Sequence, residues 1–476
     1  MTAKNMRVGL VVDHPKRDLG GAVRIAHALA SRGAETCLIP LYDQGLDVPL
    51  LDLDVLVVNY ARPVNLELVT GYVEQGIPVF VLDTEGGVLS QEGANSIRGL
   101  TEYIAHSPYA RLLSGYLFWG SLLRDAFADA GILGTGGLHL TGCPRFDVAS
   151  PRWRDTLDYP ADGYILVNAN FPLVNPAFAK DAGEETKVLV GSGWKQDYVS
   201  RMVEDQKKIL AGFLDTVHRL AARFPQKRFL VRSHPFEGDA IYRNRFADVD
   251  NVTVDGSGNV LNVIRHCACL LHLNCGTSIE AVMLERLPVS MEFLNTEHMA
   301  NHSTLPSRIS MKAASFEQLV DILEDLPAAC ARFDFDAAYR GHIHGFFHEN
   351  DGAAGDRLAQ VLLAAPPRSR RPGLPRRIAW SLNSSRATSR LGQRLQAATA
   401  NLMGTRTAAW LRSRVQVARQ GKALDADVVR KLAQSFAQHE QRPQPSVAHA
   451  RHPVSGLPLS SILVRPPGAA AGGRTA

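Results

Sequence analysis

Apolar positions in the first half of the chain fall into short unbroken runs separated by stretches of helical spacing. Val8-Gly9-Leu10-Val11-Val12 ends in Asp13, and Gly20 to Arg32 then places Val23, Ala26, Leu29 and Ala30 on one helical face. Glu35 to Pro40, Asp54 to Asn59 and Pro78 to Asp83 repeat the short-run texture, with a helical stretch from Leu66 to Gln75 among them. Runs that stay apolar throughout suit strands covered on both faces. Their alternation with helices predicts a parallel, doubly wound α/β sheet.

The pattern weakens over residues 150–162, through Ser150-Pro151-Arg152-Trp153 and Tyr159-Pro160-Ala161-Asp162-Gly163, and then restarts. Tyr164 to Asn168 reads as a strand, Tyr198 to Phe224 as a long amphipathic helix, and Lys227 to Arg232 and Ala268 to Leu273 as further strands. Gly276 to Arg286 reads as a helix, Pro288 to Glu292 as a strand and Phe316 to Leu326 as a helix. A chain of 476 residues is too long for one hydrophobic core. The expected class is therefore α/β, with two tandem Rossmann-like domains at 1–155 and 156–365. A helical, basic, partly disordered tail is expected over 366–476.

The tail is marked by a change of texture. Arg368-Ser369-Arg370-Arg371-Pro372 opens a Pro/Arg linker; helical stretches carrying Trp380, Leu391, Leu395, Leu402, Trp410, Leu411 and Val415 follow. The Pro-, Gly- and Ala-rich end is expected to be disordered. From Pro366 onward there are 19 Lys and Arg against Asp425, Asp427 and Glu440, so within a net charge of +5 the preceding residues carry −11. A basic tail on an acidic body suits an anionic membrane surface, nucleic acid or an acidic polymer. No RNA-binding aromatic signature accompanies the arginines, so a specific nucleic-acid partner is not expected.

No apolar run reaches the roughly 18 residues of a membrane span, and the start lacks a signal-peptide core. A cytoplasmic location is expected, with the basic tail offering a route to the inner-membrane surface. Six cysteines do not make a disulfide framework. Cys267, Cys269 and Cys275 cluster near His266 and His272, but the spacing lacks a paired CxxC and the run reads as a buried strand; no metal site is expected.

Three segments can carry chemistry. Asp83-Thr84-Glu85-Gly86-Gly87 puts two carboxylates at a strand end beside glycines, where an acid can act as base or nucleophile. The other reading is a helix-capping acid in a turn. Ser233-His234-Pro235 follows a strand, and Pro235 holds His234 extended, where it can donate to a phosphate. Alternatively it is an ordinary loop histidine. Asn274-Cys275-Gly276-Thr277-Ser278-Ile279-Glu280 runs from strand to helix and can cradle an anion, with Glu280 within reach of a ribose hydroxyl. The competing reading is an N-cap without a ligand. Arg145, Lys195 and Arg232 are weighed as phosphate or carboxylate contacts and left outside the core set.

Together these segments resemble the three-motif pattern of bacterial sialyltransferases, polysialyltransferases and capsule Kdo transferases, which are GT-B enzymes using CMP-activated sugars. The resemblance implies that Asp83 or Glu85 supplies the catalytic carboxylate. It implies that His234 and Pro235, with Thr277 and Ser278, hold the nucleotide phosphate and ribose. Thr84 separates two acids that are adjacent in the pattern; Glu85, next to Gly86, fits the catalytic role better. A second resemblance covers residues 6–330. Phe118-Trp119-Gly120, Leu140-Thr141-Gly142-Cys143-Pro144-Arg145-Phe146-Asp147 and Ile165-Leu166-Val167-Asn168-Ala169-Asn170-Phe171 look like segments of the surface carbohydrate (capsule/LPS) biosynthesis proteins, with Cys143 in place of their Asn.

These resemblances imply a glycosyltransferase that transfers a sugar from a nucleotide-sugar donor, CMP-sugar favoured, to a glycan or lipid-linked acceptor. The first domain would take the acceptor and the second the nucleotide sugar. No DxD pair is evident, so metal independence and no cofactor are expected. The alternatives are a UDP-sugar 2-epimerase-like or UDP-hexose-using enzyme on the same fold, and a non-catalytic protein that binds polysaccharide or nucleic acid.

Overall fold

The computed structural model describes residues 6–87, 96–177, 181–191, 194–383 and 421–469. In chain order, strands β1 (Arg7–Val12), β2 (Glu35–Pro40), β3 (Val55–Val58), β4 (Val79–Val81), β5 (Gly115–Phe118) and β6 (Leu138–Leu140) enter a first sheet. Strands β7 (Tyr164–Asn168), β8 (Phe229–Arg232), β9 (Val252–Val254), β10 (Cys267–His272), β11 (Leu287–Ser290) and β12 (Met311–Lys312) make a second. Strands β13 (Ser446–Arg451) and β14 (Pro458–Arg465) return to the first. The chain leaves the first compact unit after Asp147 and re-enters it at Phe346, so the second unit is inserted within the first.

The first sheet has the order β13-β14-β2-β1-β3-β4-β5-β6. Strands β2 to β6 are parallel neighbours, as uninterrupted apolar runs such as Val55-Leu56-Val57-Val58 require; all four of these residues are buried. The helix Pro15–Ala30 starts with Pro15 in its first turn, and the His14 side chain accepts the amide of Lys16. The chain passes from β1 through this helix to β2 on one side, then to β3 on the other side of β1. Such a reversal opens a crevice at the carboxyl ends of β1 and β3.

The sequence predicted one apolar face for that helix, yet it is buried nearly all round from Leu19 to Ala30, including Arg24 and His27. The reason lies far along the chain. Helices Ala354–Leu363 and Ala426–His439 pack on it. Buried charge needs partners: Arg24 reaches Asp356 and, at 3.5 Å, Asp147, while Nε2 of His27 lies 2.9 Å from Glu440.

The C-terminal segment differs from its sequence reading. Residues 446–465 form a hairpin, with β14 antiparallel on β2 through pairs such as Leu463 with Cys37. The run Leu459 to Val464 is buried, and the amide and hydroxyl of Ser461 both donate to Oδ2 of buried Asp47, at 2.9 and 2.7 Å. The Pro- and Gly-rich surroundings concealed a six-residue strand core. The Pro/Arg linker is likewise fastened. Arg368 donates to Asp52 and the Leu53 carbonyl (3.1 and 3.0 Å), and Arg377 to the carbonyls of Pro49 and Leu50 (2.9 and 2.7 Å). The helices expected near residues 391–415 lie outside the described residues.

The second sheet is parallel throughout, in the order β12-β11-β10-β7-β8-β9. Its core joins Ile165, Val167, Leu271 and Val289 to Phe213, Val217 and Leu220 of the long helix Gln196–Arg223. The order reverses between β7 and β10, which sets a second crevice at their carboxyl ends. Two Rossmann-like α/β units are thus what the chain adopts. Among the described residues, no helix is long and apolar enough to cross a membrane.

Candidate functional site

In the first unit, β4 delivers the two acids into different surroundings. Asp83 is buried; its Oδ2 accepts from Arg62 Nη1 at 2.8 Å and from the Tyr116 hydroxyl at 3.1 Å. Its Oδ1 accepts the amide of Glu85 at 3.0 Å. Glu85, two residues on, is exposed. Crowding by protein and the nearby Asp83 charge raise its carboxyl above the ordinary value, against the opposing pull of Arg17 and Arg62.

Sequence reading missed the groups around this loop. Asp13, at the end of β1, binds Arg17 at 2.9 Å and Lys422 at 2.9 Å. Arg17 also binds Asp18 at 2.8 Å, and Arg145 stands 3.7 Å from Asp18. The acid that closes the β1 run was visible in the sequence; nothing local could have marked Lys422. A pocket of about 510 Å³, counting space open to solvent, opens here within the first unit. Val12, Asp18, Asp83, Thr84, Trp119 and Arg145 are among its walls. Arg145, weighed as a phosphate contact, lies over the rings of Trp119 and Phe146, 5.1 and 4.5 Å from their centres.

The segment Thr141 to Asp147 also has a holding role. Asp147 accepts the amides of Ala354 and Gly355 at 3.0 and 2.8 Å, capping the helix that returns from the far end of the chain. Gly142 takes φ +76°, and the carbonyl of Thr141 accepts from Arg357 at 2.8 Å. The backbone turn here needs the left-handed region that glycine enters without strain.

In the second unit, β8 and β10 flank β7, so the loops bearing His234 and Gly276 stand one strand apart on each side of β7 at the same sheet end. The backbone amide of His234 donates to buried Glu237 at 2.9 Å, and its Nδ1 accepts the amide of Phe236 at 3.2 Å. In the neutral ring this puts the proton on Nε2, making that atom a donor. Pro235 is exposed beside it.

Across β7, Asn274 takes φ +50°, a conformation costly for most residues but tolerated by Asn. Its carbonyl accepts from Asn170 (2.9 Å), and its amide group exchanges hydrogen bonds with Asn295 (2.9 and 3.2 Å). Asn274 therefore braces the loop. Gly276 is exposed, with open space where a side chain would stand, and Thr277 accepts from Asn168 at 2.9 Å. Ser278 departs from its expected role: it is fully buried and its hydroxyl donates to the Cys275 carbonyl at 3.0 Å. Glu280 is half-buried and faces the Arg232 charge.

Arg232 is also drawn away from a ligand role. It is buried, and both terminal nitrogens donate to the loop carbonyls of Ser257 and Gly258, at 2.5 and 2.7 Å. Lys195 is exposed ahead of the long helix. Cys267 and Cys269 lie in buried β10, as their apolar setting predicted, and burial pushes the Cys267 thiol up to about 12. Among the described residues, no three His, Cys, Asp or Glu side chains gather as a metal set.

No protein-family model matches the chain, and no curated protein matches it by sequence. Among solved structures it is similar to the UDP-GlcNAc 2-epimerase from Methanocaldococcus jannaschii, at 12% identity over 75% of this chain and 100% of that one, with a TM-score of 0.47. The UDP-GlcNAc 2-epimerase from Neisseria meningitidis gives 12% identity over 75% and 100%, with a TM-score of 0.45. A variant of the wall teichoic acid polymerase TagF gives 12% over 76% and 88%, with a TM-score of 0.47. At these values, function is read from the residues of the sites themselves.

Proposed function

We propose that the chain is a metal-independent glycosyltransferase of surface-polysaccharide assembly. It takes a sugar from a nucleotide-activated donor, with a CMP-sugar such as a Kdo or other nonulosonic acid donor favoured. The observation that carries this reading is the placement of the His234 and Gly276–Thr277 loops on the two strands flanking β7, at the sheet end where open α/β sheets bind ligands. A phosphate held there would meet the Nε2–H of His234 from one side and the hydroxyl and backbone of Thr277 from the other. Donors fixed in advance stabilise the charge that develops on a leaving phosphate.

The first unit would serve the acceptor. Asp83 is buried and held by Arg62 and Tyr116, and Glu85 is the exposed carboxylate of the pair, the one assigned here to the acceptor. Its raised proton affinity suits a group that takes a proton from an acceptor hydroxyl.

Thermal shift with CMP, CDP, UMP and UDP tests the reading. CMP is expected to raise the melting temperature of the wild type and to leave His234→Ala unmoved. No shift with any of the four would refute the nucleotide-sugar reading, and selectivity for UDP would favour the epimerase-like or hexose-using alternative. Turnover is expected to survive EDTA, and complete loss would overturn metal independence.

A further inference from the structure

We infer that the segment from Asn168 to Ala177, which leaves the end of β7, is the frame on which both phosphate-holding loops hang, with Asn170 and Asn175 as its positioning residues. The inference rests on reading the His234 and Gly276–Thr277 loops as two sides of one phosphate site. On the β10 side, Asn168 Nδ2 donates to Thr277 Oγ1 and Asn170 Nδ2 to the Asn274 carbonyl, each at 2.9 Å. On the β8 side, Asn175 Nδ2 donates to the Gly238 carbonyl at 2.7 Å. Two backbone bonds join the same stretches. The Gly238 amide donates to the Asn175 carbonyl at 3.0 Å, and the Ala177 amide to the Phe236 carbonyl at 2.8 Å.

The frame is itself fixed to the core. Ala169, Phe171 and Leu173 are buried in the core of the second unit, and the Phe171 ring meets Phe213 of the long helix edge-on, 5.3 Å between centres. The Phe171 carbonyl accepts the amides of Val174 and Asn175 at 3.2 and 3.0 Å, which closes a turn between the two asparagines. Pro172 and Pro176 lock their own φ angles and stiffen the stretch further. The turn that carries His234 is held as one body. Glu237 Oε2 accepts the His234 amide at 2.9 Å, Glu237 Oε1 accepts the hydroxyl of buried Tyr242 at 2.7 Å, and the Glu237 amide donates to the His234 carbonyl at 2.8 Å. His234 Nδ1 accepts the Phe236 amide in the same turn, so the segment that grips residues 236 and 238 also fixes the ring. Donors on two loops serve one phosphate only at one spacing, and a spacing set in advance needs no reorganisation. This gives the Asn168-Ala169-Asn170-Phe171 motif its role: one segment, rooted in the core, reaches both loops.

Two measurements on the full chain test this. In the first, histidine rings are labelled with ¹⁵N, and the His234 signals are identified by their loss in His234→Gln. At about pH 8, where an ordinary histidine is neutral, wild type is expected to show the pattern of the Nε2–H form. Asn175→Ala is expected to move it toward a mixture of the two neutral forms, and Asn170→Ala, on the other loop, to leave it in place. In the second, CMP affinity is measured by calorimetry. It is expected to fall by about 10–100-fold in each single variant, the scale of one misaligned hydrogen bond to a charged group. The double variant is expected to lose less than the product of the two, because either break already frees the spacing. Where an alanine variant does not fold, aspartate at that position, alike in shape but without the donor, takes its place. His234 signals indifferent to Asn175→Ala overturn the inference, as do affinity losses that multiply, which would mean that each loop is held on its own. A wild type that binds no CMP refutes the phosphate reading instead, and the His234 signals then still decide whether the segment holds the ring.

Discussion

The amide of Glu85 donates to Asp83 Oδ1 at 3.0 Å, while Asp83 Oδ2 is held by Arg62 and Tyr116 at 2.8 and 3.1 Å. This relationship separates two acids that the sequence left interchangeable. Asp83 shapes the loop, and Glu85 is presented by it. Glu85→Gln is expected to lower turnover by about 10²–10⁴-fold with little change in melting temperature. Asp83→Asn is expected to cost about 1–3 kcal/mol of stability, because Arg62 then loses the carboxylate it donates to. Steady-state rates and urea unfolding of both variants check this; a stable, inactive Asp83→Asn beside an active Glu85→Gln would reverse the assignment. Acting as a base, Glu85 must be ionised. Since its proton affinity is raised, the rate should fall, as pH drops, at a pH above the ordinary glutamate value.

Much of this was legible because parallel strands announce themselves. Uninterrupted apolar runs gave β1 to β4, β7, β8, β10 and β11 to within a few residues, and the candidate motifs followed from the residues just beyond them. β5, β6 and β9 are no shorter than β4 but do not read as unbroken apolar runs, since β5 opens on Gly115 and β6 and β9 carry His139 and Thr253 at their centres; Trp119-Gly120 and Thr141-Gly142 stand at the ends of β5 and β6, recognisable only as motifs. What stayed hidden was long-range partnership. Arg24 and His27 fall outside the face of Val23, Ala26, Leu29 and Ala30 read from the sequence, and their partners, Asp356 on one helix and Glu440 at the end of another, lie hundreds of residues away. Ser278 and Arg232 had ligand-like positions in the sequence, but each donates to a nearby loop carbonyl, a choice made by tertiary geometry.

His272, at the end of β10 beside the Asn274 loop, is fully buried with Nε2 2.9 Å from the Ser310 hydroxyl. Burial holds its ring down to about 4. Unfolded, it titrates near 6.5, so below that pH the unfolded chain binds a proton that the folded chain refuses. Its contribution is therefore present above about 6.5 and is lost progressively as pH falls toward 4, to a total of roughly 3 kcal/mol. His272→Gln removes the titration. Unfolding measured at pH 7 and pH 5 should show a shallower loss in the variant, and identical losses would remove His272 as a cause.

The β13–β14 hairpin completes the first sheet, so the chain should not tolerate losing it. Ending the chain at residue 445 would expose the edge of β2 and strip Asp47 of both Ser461 donors. An exposed apolar edge invites aggregation. The truncated protein is expected to be largely insoluble, whereas Ser461→Ala, which removes one of the two donors, is expected to fold with a loss of about 1–3 kcal/mol. Soluble yield and thermal unfolding test both, and a truncated chain melting like the full one would show the hairpin to be dispensable.

Asp52 is the anchor of the Pro/Arg strap. Arg368 and Arg371 each lie 3.1 Å from it and Arg377 3.8 Å, and the Arg368 side chain is only 3% exposed. These arginines are already paired within the chain, so they should add little to binding at an anionic membrane. Asp52 takes φ +49°, which asparagine also tolerates, so Asp52→Asn removes the charge without straining the backbone. The variant should lose about 1–3 kcal/mol of stability. With the strap loosened, trypsin should cut near Arg368 to Arg371 sooner than in wild type. Released arginines should also strengthen sedimentation with vesicles of anionic lipid at low salt, each by up to about 1 kcal/mol. Equal cleavage and equal sedimentation in the two proteins would mean that Asp52 does not hold the strap.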